Sequence, residues 1–310
     1  MSYRPLVSIL LPVYNGERTL KATLESLLSQ TYPHFELLIG IDGTKDGSKA
    51  IAEGFKDKRV KIIEHPHNLG LASNVNSLIA ASSPESDFFA MAEQDDVYVP
   101  ERLEWQVAVM QQHPEVGLVS GIAEFIGDGG SILFPGILVY GHPFPQGEAL
   151  FEYLYINQLK VVNTCMLWRK EVHQTHSLNF KSTYGNFNSD WDFILRFALK
   201  SEVYGIPKVL VQMNRQNQNH SVTTNKDGQH KASRQLLKDF KKEFPQLINA
   251  KMYNEALKMH RKIELGHHSK FGIVAFGCYY ALRYWDNTFL KYIRERFKKY
   301  KAIRDFNNDK

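Results

Sequence analysis

The sequence predicts an α/β protein, a mostly parallel sheet flanked by helices, with a helical C-terminal region. Strand and helix signals alternate over the first 125 residues, two adjacent acids (Asp95 and Asp96) follow an apolar run, and from residue 231 onward only helical periodicity persists. At 310 residues and 43% hydrophobic content, the chain can build one large domain plus an appendage, which excludes a disordered chain.

The first strand is the β-rich run 6–13, closed by Tyr14, Asn15 and Gly16. A helix over 19–29 follows, with Leu20, Leu24, Leu27 and Leu28 at helical spacing and Pro33 beyond its end. Residues 35–41 read as a second strand. Asp42, Gly43, Asp46 and Gly47 make a turn of conformationally permissive residues, and a helix to about residue 55 leads into strand 60–64. Helix 71–81, strand 88–92, a helix opened by Pro100 and running to His113, and strand 117–125 complete the alternation. In such a sheet, ligands bind beyond the carboxyl ends of the strands, where Tyr14, Asp42 and Asp95 fall. Glycine and proline crowd 127–147, which predicts a loop or hairpin before a short helix at 148–155. Strand 161–168, helix 189–200, strand 209–213 and a polar, lid-like segment 214–229 come next, then helices at 231–244, 247–265, 271–285 and 287–300.

The formal charge of +5 is modest and its basic excess is C-terminal, so no nucleic-acid partner is needed to explain it. Cys165 and Cys278 are far apart, which excludes a disulfide framework and a thiolate metal site and fits a reducing cytosol. The opening residues lack a signal-peptide pattern, and the uncharged run 271–282 is shorter than the ~20 residues of a spanning helix. These features together lead us to expect a cytoplasmic protein.

Adjacent acids at the end of a buried strand repel unless a cation stands between them, so Asp95 and Asp96 suggest an oxygen-ligand metal site and phosphate chemistry. A cluster of acids at a helix N-terminus ahead of Pro100 is the plainer reading.

Four motifs, Val13-Tyr14-Asn15-Gly16, Asp42-Gly43-Thr44-Lys45-Asp46-Gly47-Ser48, Asn68-Leu69-Gly70 and Gln94-Asp95-Asp96, occur in this order along the βαβ frame. In order and spacing they resemble the family 2 inverting glycosyltransferases, over roughly residues 6–220. The resemblance implies a GT-A fold and transfer of a sugar from a nucleotide-diphosphate donor, UDP- or dTDP-sugar favoured, to a glycan or lipid-linked acceptor. It implies a donor site of Pro12, Tyr14, Asp42, Asn68, Asp95 and Arg215, with Tyr14 and Asp42 holding the base. Asp42 also suits a turn-capping role before Gly43. Mg2+ or Mn2+ would be bound by Asp96 directly, with Asp95 beside it and His220 as a further ligand. Asp190 matches the catalytic base, with Asp192 as fallback, and Trp191 is the expected acceptor-binding ring. Asp190 equally suits the start of a helix, and both roles can hold at once.

Three departures stand out. Ile41 precedes Asp42 where relatives often carry an acid, Ser189 precedes Asp190 where they usually carry Glu, and Asn217 replaces an expected histidine. They keep open a second reading, a sugar-nucleotide-binding module without turnover. A sugar nucleotidyltransferase is a third, disfavoured because Leu11-Pro12-Val13-Tyr14 is not a glycine-rich phosphate loop.

Residues 1–228 are thus expected to form the GT-A-like domain, with a nucleotide-sugar half about 1–125 and an acceptor half about 126–228; residues 229–310 form the helical region. There, Phe289, Ile293, Phe297 and Tyr300 share one helical face, with Lys291, Arg294, Arg296, Lys298, Lys299 and Lys301 around it. The pattern suits docking at the cytoplasmic face of an anionic membrane and equally suits packing within the protein or on a second subunit as a homodimer.

Overall fold

The computed structural model describes residues 3–127, 130–134, 145–158, 161–214 and 225–308, with backbone only at 214 and 299–308. The chain divides into two compact units, one of residues 1–155 and 159–224 and one of residues 156–158 and 225–310.

In the first unit, β1 (Leu6–Val13), β2 (Phe35–Asp42), β3 (Val60–His65) and β4 (Ser86–Met91) form a parallel block in the order β3-β2-β1-β4. Helices α1 (Leu20–Leu28), α2 (Ser48–Gly54) and α3 (Leu71–Ala81) connect them. Every residue of β2 and all but the first of β1 are buried, which is why both strands read as largely apolar runs, broken by Ser8 and Glu36, instead of alternating ones. Val7, Ile9, Leu11 and Val13 share one core cluster with Leu20, Leu24 and Leu27 of α1. On α3, Asn74 donates to Gly40 O at 2.9 Å; a Cβ at Gly40 would fall 2.0 Å from the Asn74 side chain, so β2 needs glycine there.

The remaining strands make the sheet mixed. A short β5 (Asp96–Tyr98) follows the acids, then come α4 (Arg102–Gln112), β6 (Val116–Gly127), β7 (Gly130–Phe134) and α5 (Gly147–Asn157). A 3₁₀ turn (Asn163–Cys165), β8 (Leu167–Arg169), α6 (Lys170–Thr175), α7 (Ser189–Ala198) and β9 (Glu202–Asn214) follow. The order continues β4-β8-β6-β9-β5, with β8 antiparallel to β4 and β6, β9 parallel to β6, and β5 antiparallel to β9. β7 pairs with β6 as the hairpin expected within 127–147; residues 135–144 lie outside the described residues.

Two expectations are corrected. The strand over 161–168 is a 3₁₀ turn followed by three strand residues, because Asn163 and Thr164 spend their side chains on other elements. Residues 96–98, to which the sequence reading gave no strand, pair with β9 as β5. The second unit holds α8 (Lys226–Glu243), α9 (Ala250–Leu265), α10 (Lys270–Tyr284) and α11 (Thr288–Asn308). Asn225, Asn249 and Ser269 cap the first three by accepting a backbone N–H of the first turn. Residues 226–229, expected in the polar segment, form the first turn of α8.

On α6, His173 is buried among the rings of Phe89, Trp168 and Phe193, at 5.5, 6.5 and 6.3 Å between centroids. Burial pushes its pKa down to about 4. Between pH 6.5 and 4 the unfolded chain therefore takes up a proton that the folded chain refuses, and stability falls as pH drops through that window. His260, in the second unit, is likewise held down to about 4 by burial and acts with the same sign. A His173→Leu variant is expected to lose less melting temperature than wild type between pH 6.5 and 4, the difference approaching about 3 kcal/mol at most; parallel melting curves for the two proteins would contradict it.

Candidate functional site

The carboxyl ends of β1, β2 and β4 are laced together by side chains. Asp42, only 2% exposed, accepts backbone N–H groups from Leu69 at 2.7 Å and Gly70 at 3.1 Å, one on each carboxylate oxygen. This sets the height of loop 68–70, where Asn68 also accepts from Gly70 N at 2.8 Å. Gly43 (φ 61°) makes the approach possible, since a Cβ there would lie 2.5 Å from Asn68 N. Next to it, the Gln94 amide accepts from Tyr14 N at 2.8 Å and donates to Tyr14 O at 3.0 Å, fastening the end of β1 to the acidic segment. Asp46 gathers the turn after β2, accepting from Thr44 Oγ1, Ser48 N, Ser48 Oγ and Glu17 N. Burial opposes its charge, but the bonds from Ser48 and Thr44 outweigh that and hold its carboxyl at about 2.

Glu93, Asp95 and Asp96 follow β4 with carboxylate oxygens within 4.8 Å of one another. Asp96 is buried, and its Oδ2 has no hydrogen-bond partner. Burial first, then the charges of Glu93 and Asp95, drive its pKa well up, against a Thr164 hydrogen bond and the buried Arg102 guanidinium. Glu93 accepts from Asn163 Nδ2 at 2.8 Å, yet burial and the charges of Asp95 and Asp190 push it up to about 7. Asp95 is the solvent-facing member, although burial of its surroundings raises it too. Asn188 (φ 55°) turns the chain into α7, whose first turn carries Asp190 to within electrostatic reach of Glu93. Asp190 accepts from Trp191 N at 2.8 Å, and burial raises its pKa.

Carboxylates this crowded and this poorly compensated fit a hard divalent cation, and the unpartnered Asp96 oxygen among donors of oxygen type is the local feature that fits it best. Asp95, Asp96 and Glu93 are the residues that would hold it.

Not every expected residue reaches the site. The Tyr14 side chain is 45% exposed and open to a ligand. Asp42 is already committed to loop 68–70, and not to the local turn before Gly43 that its Asp-Gly context suggested. Pro12 is buried within β1 opposite Gly40. Trp191 is a correction: it is buried, with its indole N–H donating to Leu154 O at 3.1 Å, so its ring offers no face to a sugar. The Asp192 fallback is buried too and paired with Arg196 at 2.8 Å. Arg215 and His220 lie outside the described residues. Missing from the sequence-derived set are Asn163, which donates to Glu93, and Thr164, whose hydroxyl meets Tyr98 Oη at 2.6 Å while Tyr98 Oη accepts from Glu93 N. Two polar residues inside the apolar run 161–168 were the available signal.

If Asp42 is chiefly the anchor of loop 68–70, Asp42→Asn should cost about 1–3 kcal/mol in urea denaturation without any nucleotide, because an amide cannot accept at both positions. An unchanged midpoint, with loss of nucleotide affinity alone, would instead return Asp42 to base recognition.

Residues 8–176 match the family model described as Glycosyl transferase family 2. Among curated proteins, the chain is 34% identical over 163 residues to EpsE of Bacillus subtilis (strain 168), covering 49% of this chain and 58% of that one. It is also 34% identical over 105 residues to the UDP-Glc:alpha-D-GlcNAc-diphosphoundecaprenol beta-1,3-glucosyltransferase WfgD of Escherichia coli, covering 34% and 41%. The chain thus spans less than two thirds of either relative. The fold is similar to that of S. aureus TarS 1-349 in complex with UDP-GlcNAc (TM-score 0.62, 14% identity, 96% of this chain and 92% of that one). It is likewise similar to the mannosyltransferase PcManGT from Pyrobaculum calidifontis in complex with GDP-Man and Mn2+ (TM-score 0.56, 16% identity, 94% and 86%). A family model that covers more than half of the chain, on a GT-A fold whose strand ends gather the motif residues, makes this chain a member of glycosyl transferase family 2.

Proposed function

We propose that this protein is an inverting glycosyltransferase that moves a sugar from a nucleoside-diphosphate donor to an acceptor hydroxyl. The observation that carries the reading is the cluster of Glu93, Asp95 and Asp96 at the sheet edge that also exposes Tyr14, with Asp190 of α7 within electrostatic reach of Glu93. UDP-sugar is the favoured donor: TarS is bound to UDP-GlcNAc and WfgD uses UDP-Glc, whereas PcManGT is bound to GDP-Man. WfgD's diphosphoundecaprenol substrate supports a glycan or lipid-linked acceptor.

Each residue has a task its surroundings suit. Tyr14 offers a flat, exposed ring for a nucleobase. Asp190 takes the proton of the acceptor hydroxyl, and its raised pKa makes it a stronger base than an ordinary carboxylate while its half-buried setting limits competing water. The acceptor oxygen then bonds to the anomeric carbon as the bond to the diphosphate oxygen breaks on the opposite face, so the configuration inverts. Asp95 and Asp96, with Glu93 behind them, would bind Mg2+ or Mn2+, which when bound neutralises charge on the departing diphosphate. The unpartnered Asp96 oxygen suits a direct ligand, and the more exposed Asp95 stands beside it, in keeping with the sequence-based assignment.

Asp190→Asn should lower kcat roughly 10²–10⁴-fold while leaving the UDP-induced melting shift intact; undiminished turnover would remove Asp190 from the mechanism. A melting panel of UDP, GDP, dTDP and CDP with and without manganese should give a metal-dependent rise for UDP that Asp95→Asn abolishes. A rise that is indifferent to manganese would refute the cation assignment.

A further inference from the structure

Helix α10 is apolar on every side, a pattern that belongs to a helix covered all round. Only its inner face is covered. Ile273 and Tyr280 pack with Leu265 of α9 and Phe289 of α11 in a small core of the second unit. The opposite face carries Phe271, Val274, Cys278 and Leu282 at helical spacing, continued by Trp285 at the turn into α11. Phe271, Leu282 and Trp285 are 84%, 77% and 95% exposed. A contiguous row of large apolar side chains at this exposure marks a docking surface.

The neighbouring helix identifies the occupant. Phe289 points α11 inward, and the opposite side presents Lys291, Arg294 and Lys298, all exposed and at i, i+3, i+7 spacing. Across 270–298 the basic residues are Lys270, Arg283, Lys291, Arg294, Arg296 and Lys298 against Asp286 and Glu295. Asp286 is already taken by Lys258 and Lys262 at 3.2 and 3.3 Å, which leaves Glu295 as the exposed acid of that stretch. No helix among the described residues is long and apolar enough to cross a membrane.

We propose that α10 docks the protein on a bilayer surface rich in anionic phospholipid, with its aromatic and aliphatic row sunk into the headgroup boundary and the basic excess of 270–298 supplying the attraction to the phosphates. Trp285 and Tyr279 are the amphipathic ring types that favour this boundary. A second copy of the chain fits less well, because two-fold packing through α10 would bring two stretches of net positive charge together with little acid to offset them. The inference is independent of the reaction proposed above.

The test is co-sedimentation of the full chain with vesicles of phosphatidylcholine alone or with about one-third phosphatidylglycerol. Wild type should partition at least about 10-fold more strongly to the anionic vesicles, and high salt should weaken it. Leu282→Ser/Trp285→Ser and Lys291→Glu/Arg294→Glu, all at exposed positions and checked for unchanged melting, should each lower binding by about 10-fold. Recovery that is the same for wild type and both variants overturns the proposal. So does a dimer by light scattering that Leu282→Ser/Trp285→Ser converts to monomer without any vesicle binding, an outcome that would assign the face to a second copy.

Discussion

Like-charge repulsion among carboxylates at the edge of a buried sheet is the constraint around which the first unit is arranged. Glu93, Asp95 and Asp96 follow a strand whose residues are almost all buried, and Asp190 is brought toward them from another part of the chain. Burial raises the cost of each charge, so the protein relieves part of it locally: Asn163 donates to Glu93, Thr164 to Asp96, and the buried Arg102 supplies a positive field from below. The relief is incomplete, and an Asp96 oxygen remains without a partner. An arrangement that leaves anionic character uncompensated at a ligand-facing edge suits a cation and a diphosphate better than it suits stability.

Holding those acids in place falls to the ends of the parallel strands. The chain proceeds from β1 to β2 to β3 on one side, then returns to β4 on the other, so the crossover segments diverge and open a crevice between β1 and β4. Gln94 spans that point with two hydrogen bonds to the backbone of Tyr14, and Asp42 fixes loop 68–70 farther along the same edge. Both devices pair a side chain with backbone groups that a loop would otherwise leave to water, giving the rim definite geometry without more core.

The second unit follows a different logic. Its helices are capped by side chains in the ordinary way, yet its buried cluster is small and much of α10 faces outward. Such an element is not finished by its own unit, whereas β1, β2 and β4 of the first unit are covered on both faces.

The parallel block was fully legible in the sequence, because strands buried on both faces and helices packed on one produce distinct apolar rhythms that depend only on nearby residues. The motif acids, Tyr14 and the start of α7 at Asp190 were legible as well, since each sits at a strand or helix end marked by turn residues. What the sequence could not state was which polar atoms meet. Asp42 met loop 68–70, Trp191 turned into the core and not toward an acceptor, Asn163 and Thr164 left a would-be strand to serve the acids, and residues 96–98 joined β9. Those outcomes depend on partners from 27 to 117 residues away, and a hydrogen bond is decided by distance and direction in space, to which local periodicity is blind.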